Sequence, residues 1–110
     1  MTITMQELFQ GMAATFKPEQ AGDLNAVIQY DVTGDEAGTH HLVIANGTCT
    51  YHEGPADSPT LTITTPDHVW RDISAGRLDG AQAFMTGKFK VKGDMGLLMK
   101  LASLFGDANG

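Results

Sequence analysis

Apolar residues first recur along the chain at three- and four-residue spacing. Met5, Leu8, Phe9, Met12, Ala13 and Phe16 follow that rhythm, which predicts an amphipathic helix over Met5 to Phe16. Thr4 reads as its N-cap, with Glu7 completing a capping box. Lys17-Pro18 ends it, because proline disfavours helical geometry in the residue before it, and Glu19 to Asp23 reads as a polar connection. The rhythm then changes to alternation. Ala26, Ile28, Tyr30 and Val32 interleave with Val27, Gln29 and Asp31, so Asn25 to Val32 predicts a strand with one apolar face. His40 to Ala45 and Thr48 to Glu53 predict two more, joined by Asn46-Gly47, a strong hairpin signal. A two-residue turn there sets a register. Ile44 faces Cys49, Leu42 faces Tyr51 and His41 faces His52, with Leu42, Ile44, Cys49 and Tyr51 on the core side.

Thr60 to Thr64 alternates again and predicts a fourth strand. Thr65-Pro66-Asp67 reads as a helix start, with Thr65 as N-cap, and Val69, Trp70 and Ile73 form that helix's apolar face up to Gly76. Gly80 to Met85 predicts a short helix that Gly87 breaks. Lys88 to Lys92 alternates as a fifth strand with Phe89 and Val91 inward, and Asp94 caps a last helix, Met95 to Phe105. The order of elements predicts one domain over residues 1–110, an α+β fold of two layers. Its five-stranded, mostly antiparallel sheet carries the helices on one face.

The last helix changes the picture. Met95, Leu97, Leu98, Met99, Leu101, Ala102, Leu104 and Phe105 make an apolar arc wider than one sheet contact needs. Two uses fit that surplus: burial against a second copy or the first helix, or the wall of an apolar cavity. Met5, Met12, Met85, Met95 and Met99 all fall on helices predicted to face this interior, and flexible thioethers suit a pocket for ligands of varied shape.

Charge and composition narrow the partners. The net charge of −6 argues against nucleic acid, which needs clustered Lys and Arg. Residues 1–60 carry one basic residue against eight acidic ones, whereas residues 61–110 carry six against five. Lys88, Lys90 and Lys92 lie in that second half, as a solvated strand face or as a transient contact for an anionic membrane surface or headgroup. The single cysteine, Cys49, allows no internal disulfide and is expected to be a buried, unreactive thiol. The start of the chain lacks a signal-peptide pattern, and its last residues form neither a peroxisomal tripeptide nor a prenylation box. No run approaches the ~18 apolar residues of a membrane span, and a cytoplasmic location is the expectation.

Catalytic and metal chemistry find little support. Ser58, Ser74 and Ser103 sit in no nucleophile motif, Asp67 and Asp72 read as ordinary helix acids, and Asp35-Glu36 lies in a loop. His41 and His52 are cross-strand neighbours, but His40 and Cys49 lie on the opposite face, so a third zinc ligand converges only if Glu53 or a partner chain supplies it. No enzyme, cofactor or metal is expected.

Two stretches resemble a known family. Ala26 to Gly34 resembles the first strand and turn of the sterol carrier protein 2 family. Gly76 to Leu101 resembles its characteristic run, G-[KR]-L-x-x-x-x-A-[FY]-x-x-G-K-[LF]-K-[IV]-x-G-[DN] followed by an apolar helix. The resemblance implies a five-stranded sheet with helices on one side. It also implies an apolar tunnel that holds fatty acid, fatty acyl-CoA, sterol or phospholipid without chemistry. By position it assigns Phe84, Met85, Phe89, Val91, Met95, Leu98, Met99, Leu101 and Phe105 to the tunnel wall, with Leu8, Phe9, Met12, Trp70 and Ile73 closing it. The competing expectation is an accessory domain that uses the same surface to form a homodimer or to dock a lipid- or quinone-handling enzyme.

Overall fold

A computed structural model describes residues 3–105. Met1, Thr2 and residues 106–110, on which the reading of the two termini rests, lie outside the described residues, as does the side chain of Ala102. Ten elements follow in order: α1 (Met5–Ala14), α2 (Pro18–Ala21), β1 (Ala26–Thr33), β2 (Gly38–Ala45), β3 (Thr48–Glu53), β4 (Leu61–Pro66), α3 (Asp67–Ser74), α4 (Gly80–Met85), β5 (Lys90–Gly93) and α5 (Met95–Leu104).

The strands form one sheet in the order β3-β2-β1-β4-β5. Three of its pairings are antiparallel, and β1 pairs with β4 in parallel. The Asn46-Gly47 turn sets the predicted register, with Leu42 opposite Tyr51 and His41 opposite His52. Both turn residues take the positive φ, 55° and 74°, that this tight hairpin demands. The hairpin carries the chain outward from β1. To reach the other side of β1 it must cross back, as any parallel pairing requires. The loop from Gly54 to Thr60 makes that crossing over the helix-free face. It is tied there by the Ala56 amide donating to Gln29 Oε1 at 2.9 Å and by a 2.8 Å bond between His41 Nδ1 and the Gly54 carbonyl.

The other face carries the helices and the core. Ile28 and Tyr30 on β1, Leu42 and Ile44 on β2, and Leu61 and Ile63 on β4 are almost fully buried there. Phe9 from α1, Trp70 from α3, Phe89 before β5, and Leu97 and Leu104 from α5 close over them. Gly93 allows β5 to approach β4: a Cβ at this position, with φ 118°, would collide with the Thr60 carbonyl oxygen.

Four of the departures from the sequence reading have a visible cause. The first helix stops at Ala14, so Phe16 leaves it and bridges Phe105 instead, their rings 5.8 Å apart. The connection after it contains the single turn α2, started by Pro18 at the first helical position. Thr65 is not a cap. Pairing with β1 extends β4 through Pro66, and the buried Thr65 hydroxyl donates to the Pro66 carbonyl. Phe89 is buried as expected but precedes β5, because Lys88 still donates its amide to the Ala83 carbonyl at the end of α4. The other caps stand as read. Thr4 and Glu7 exchange both bonds of a capping box, and Asp94 accepts from the Leu97 amide at 3.1 Å.

Candidate functional site

A row of rings crosses the helix-facing side of the sheet. His40 Nδ1 shares a 2.6 Å hydrogen bond with the Tyr51 hydroxyl. Phe9 lies 4.9 Å from the His40 ring and 4.6 Å from Tyr30, Trp70 lies 5.1 Å from Tyr30, and Phe89 lies 5.8 Å from Trp70. Phe84 ends the row, 5.7 Å from Phe89. Alternation along β1 and β2 puts Tyr30 and His40 on the same face as register partners. The periodicity of α1 and α3 delivers Phe9 and Trp70 to meet them.

Within this row, hydrogen bonding is unequal. Among the described residues, Tyr30 Oη and Trp70 Nε1 are the two buried side-chain polar atoms with no partner. Tyr and Trp ordinarily find one when buried. Leaving such a group unpaired costs about 1–3 kcal/mol each. Burial also pushes the Tyr30 hydroxyl far above the usual tyrosine range, so it stays protonated and able to donate. His40, by contrast, is satisfied by Tyr51, and burial holds its pKa below the ordinary 6.5.

The predicted wall residues separate into three groups. Leu8, Phe9, Trp70, Phe89 and Phe105 are buried in one core. Met12, Ile73, Phe84, Val91, Leu98 and Leu101 are half-buried against it. Met85, Met95 and Met99 do not face the interior: they are 82%, 45% and 68% exposed. The reason is geometric. Met95 and Met99 are four apart and share a face of α5, while Leu97, Leu101 and Leu104 turn inward. Of the methionines read as inward-facing, Met5 is buried and Met12 half-buried. Tyr30, His40, Ile63 and Leu104 belong to the same interior without having been singled out as site residues. Tyr30 carried a signal in the sequence, a phenol on the apolar side of a strand.

Among the described residues the side chains between helices and sheet pack against one another. Open space appears elsewhere, as a groove of about 700 Å³ between α1 and α3 lined by Leu8, Gly11, Met12, Ser74, Arg71 and Arg77. Both guanidiniums are engaged: Arg71 Nε donates to Glu36 at 3.0 Å, and Arg77 pairs with Asp72 at 3.0 Å.

The histidine pair and the strand lysines lie on the helix-free face. Lys90 and Lys92 pair with Thr64 and Thr62 there, on the opposite side of the sheet from the exposed methionines. The His41 and His52 rings stack at 5.0 Å. Among the described residues no group of three or more His, Cys, Asp or Glu is placed to hold a metal ion. Cys49 is half-buried, and burial pushes its thiol up to about 11, which suppresses the reactive thiolate. No described helix is long and apolar enough to cross a membrane.

Comparison with known proteins places this geometry. Residues 6–106 match the SCP-2 sterol transfer family. Hydroxysteroid dehydrogenase-like protein 2 from Xenopus tropicalis is 28% identical over 106 residues, covering 96% of this chain and 25% of that protein. The Homo sapiens protein of the same name is 29% identical over 109 residues, with the same two coverages of 96% and 25%. The chain thus spans about a quarter of the length of these relatives. Among solved structures, palmitated SCP2L2 from Aedes aegypti superposes with a TM-score of 0.74 at 20% identity, covering 92% of this chain and 93% of that one. A stereoselective inverting sec-alkylsulfatase from Pseudomonas gives a TM-score of 0.81 at 22% identity, over 94% of this chain and 16% of the other. These superpositions establish a shared α+β fold.

Proposed function

Because the chain belongs to the SCP-2 sterol transfer family, we propose that it binds a lipid or another long-chain apolar molecule between its helices and the helix-facing side of its sheet. It holds or transfers that molecule without chemical change. The observation that carries this reading is the continuous apolar interior from Phe9 through Trp70 and Phe89 to Leu97, which unites α1, α3, α5 and the sheet. At its border the half-buried Phe84, Val91, Leu98 and Leu101 offer an apolar rim by which a chain reaches the interior. Binding then requires the helices to part from the sheet, since the described side chains are in contact. Fatty acid, fatty acyl-CoA, sterol and phospholipid are the ligand classes this reading covers. Extraction of the purified protein with organic solvent, followed by mass spectrometry and rebinding of a fluorescent fatty acid, tests it. A protein that carries no lipid and binds no probe refutes it.

Lys88, Lys90 and Lys92 are all exposed and supply the charge for a transient contact with anionic membranes, each contributing about 1 kcal/mol near such a surface. Co-sedimentation with phosphatidylserine vesicles, lost at high salt, is the expected result.

The exposed Met85, Met95 and Met99 favour a second reading. Apolar side chains left in solvent suit contact with a second copy of the chain or with a partner enzyme. Light scattering distinguishes the two readings. A dimer that Met99→Glu converts to a folded monomer supports docking, and a monomer at all concentrations removes the homodimer.

A further inference from the structure

We infer that Tyr30 and Trp70 form the polar end of the ligand site, and that they select a lipid whose head is a single uncharged oxygen, a hydroxyl or a carbonyl. This inference rests on the lipid-binding reading above and narrows it to a ligand class. Every other buried polar side chain among the described residues has a partner: His40 has the Tyr51 hydroxyl, and Thr65 has the Pro66 carbonyl. Tyr30, at 0% exposure, and Trp70, at 5%, retain an O–H and an indole N–H with none. Their rings touch at 5.1 Å, and both lie among the apolar side chains that a ligand would have to displace. An apolar wall that carries two donors matches a ligand that is apolar along its length and presents an acceptor at one end.

The charge of that acceptor follows from what surrounds it. Trp Nε1 donates only, and Tyr Oη donates or accepts, so each group can hydrogen-bond an uncharged oxygen. A carboxylate or phosphate at the same depth needs a cation to offset the loss of water. Among the described residues no Lys or Arg is buried in this interior. Arg71, next in sequence to Trp70, points its guanidinium at Glu36, and Lys90 and Lys92 lie across the sheet. His40, which shares the Phe9 ring with Tyr30, has its charged form disfavoured by burial. The site therefore favours an alcohol or ketone lipid over a free fatty acid of equal length.

The test compares 1-dodecanol with dodecanoate by isothermal titration calorimetry, using the wild-type chain, Tyr30→Phe and Trp70→Phe. Trp70 is the single tryptophan, so its emission reports the contact directly. The expected result is a preference of about tenfold or more for the alcohol, with a red shift of Trp70 emission on binding. Each substitution is expected to weaken the alcohol by about tenfold, the scale of one buried hydrogen bond. Dodecanoate binding is expected to change little. Equal affinity for the two probes, a preference for dodecanoate, or an unchanged alcohol affinity in both variants overturns the inference and leaves lipid binding standing. Failure of the wild-type chain to bind either probe, or any lipid in the extraction assay, overturns both. Folding supplies an independent check. With its hydroxyl unpaired, ligand-free Tyr30→Phe is expected to melt no lower than wild type, and a fall of several degrees overturns the assignment.

Discussion

The centre of the sheet and its β5 edge are built from similar residues and end in different states. At the centre, β1 is flanked on both sides, and its Ile28 and Tyr30 are covered by Phe9 and Trp70 from α1 and α3. Toward the edge, α5 packs against β4, and Phe84 of α4 meets Phe89 just before β5. Leu97 and Leu104 reach full burial there, but Phe84, Leu98 and Leu101 stop halfway and Met85 and Met99 stay in solvent. A wide apolar arc does not ensure burial, since a sheet edge offers a helix less surface to cover. The centre is consequently the more fully covered part of the sheet, and the β5 edge the less covered one.

The largest expected effect tests the centre. Phe9→Ala empties a fully buried site between Tyr30 and His40 and is expected to lose about 3–5 kcal/mol of stability in urea denaturation. A loss under 1 kcal/mol would break the contrast. Leu97→Ala asks whether the inward side of α5 behaves like the centre, with about 2–3 kcal/mol expected, because Leu97 is as buried as the sheet residues. Capping lies next in size. Asp94→Ala removes the acceptor for the Leu97 amide and is expected to cost about 1 kcal/mol, together with faster amide exchange confined to α5. If exchange rises equally in β1, the edge does not open independently of the centre.

A pH dependence marks the centre as well. Burial lowers the His40 pKa below 6.5, so the unfolded chain binds the proton first as pH falls. Stability from this residue is full above that value and declines below it, down to the lower folded pKa. Asp67 acts in the same direction in more acid solution. Amide bonds from Glu36 and His68 hold its carboxyl below the usual 3.8. Denaturation midpoints across the mildly acid range are expected to fall for wild type and to flatten for His40→Gln. Met99→Ala is the smallest effect, within about 0.5 kcal/mol, as for an exposed side chain. A larger loss would show Met99 covered in solution, which is the signature of self-association.

Local chemistry decided much of this fold, so much of it was readable in the chain. Asn46-Gly47 set the hairpin register residue by residue, because a two-residue turn admits few pairings. Alternation marked Ile28, Tyr30, Leu42 and Ile44 as the inward side, and Thr4 with Glu7 and Asp94 marked two helix starts. The run from Gly76 to Asp94 also carried its family in sequence alone. Long-range geometry decided the rest. The parallel pairing of β1 with β4 extended β4 past Thr65 and displaced the expected cap. The bridge between Phe16 and Phe105 takes Phe16 out of the first helix. The fourteen residues assigned to a cavity wall all look alike as apolar letters. Their division into buried, half-buried and exposed depends on how far each helix lies over the sheet, which no local spacing records. The same holds for Tyr30 and Trp70. That both are buried follows from pattern, but that neither finds a partner is a property of what packs around them in three dimensions.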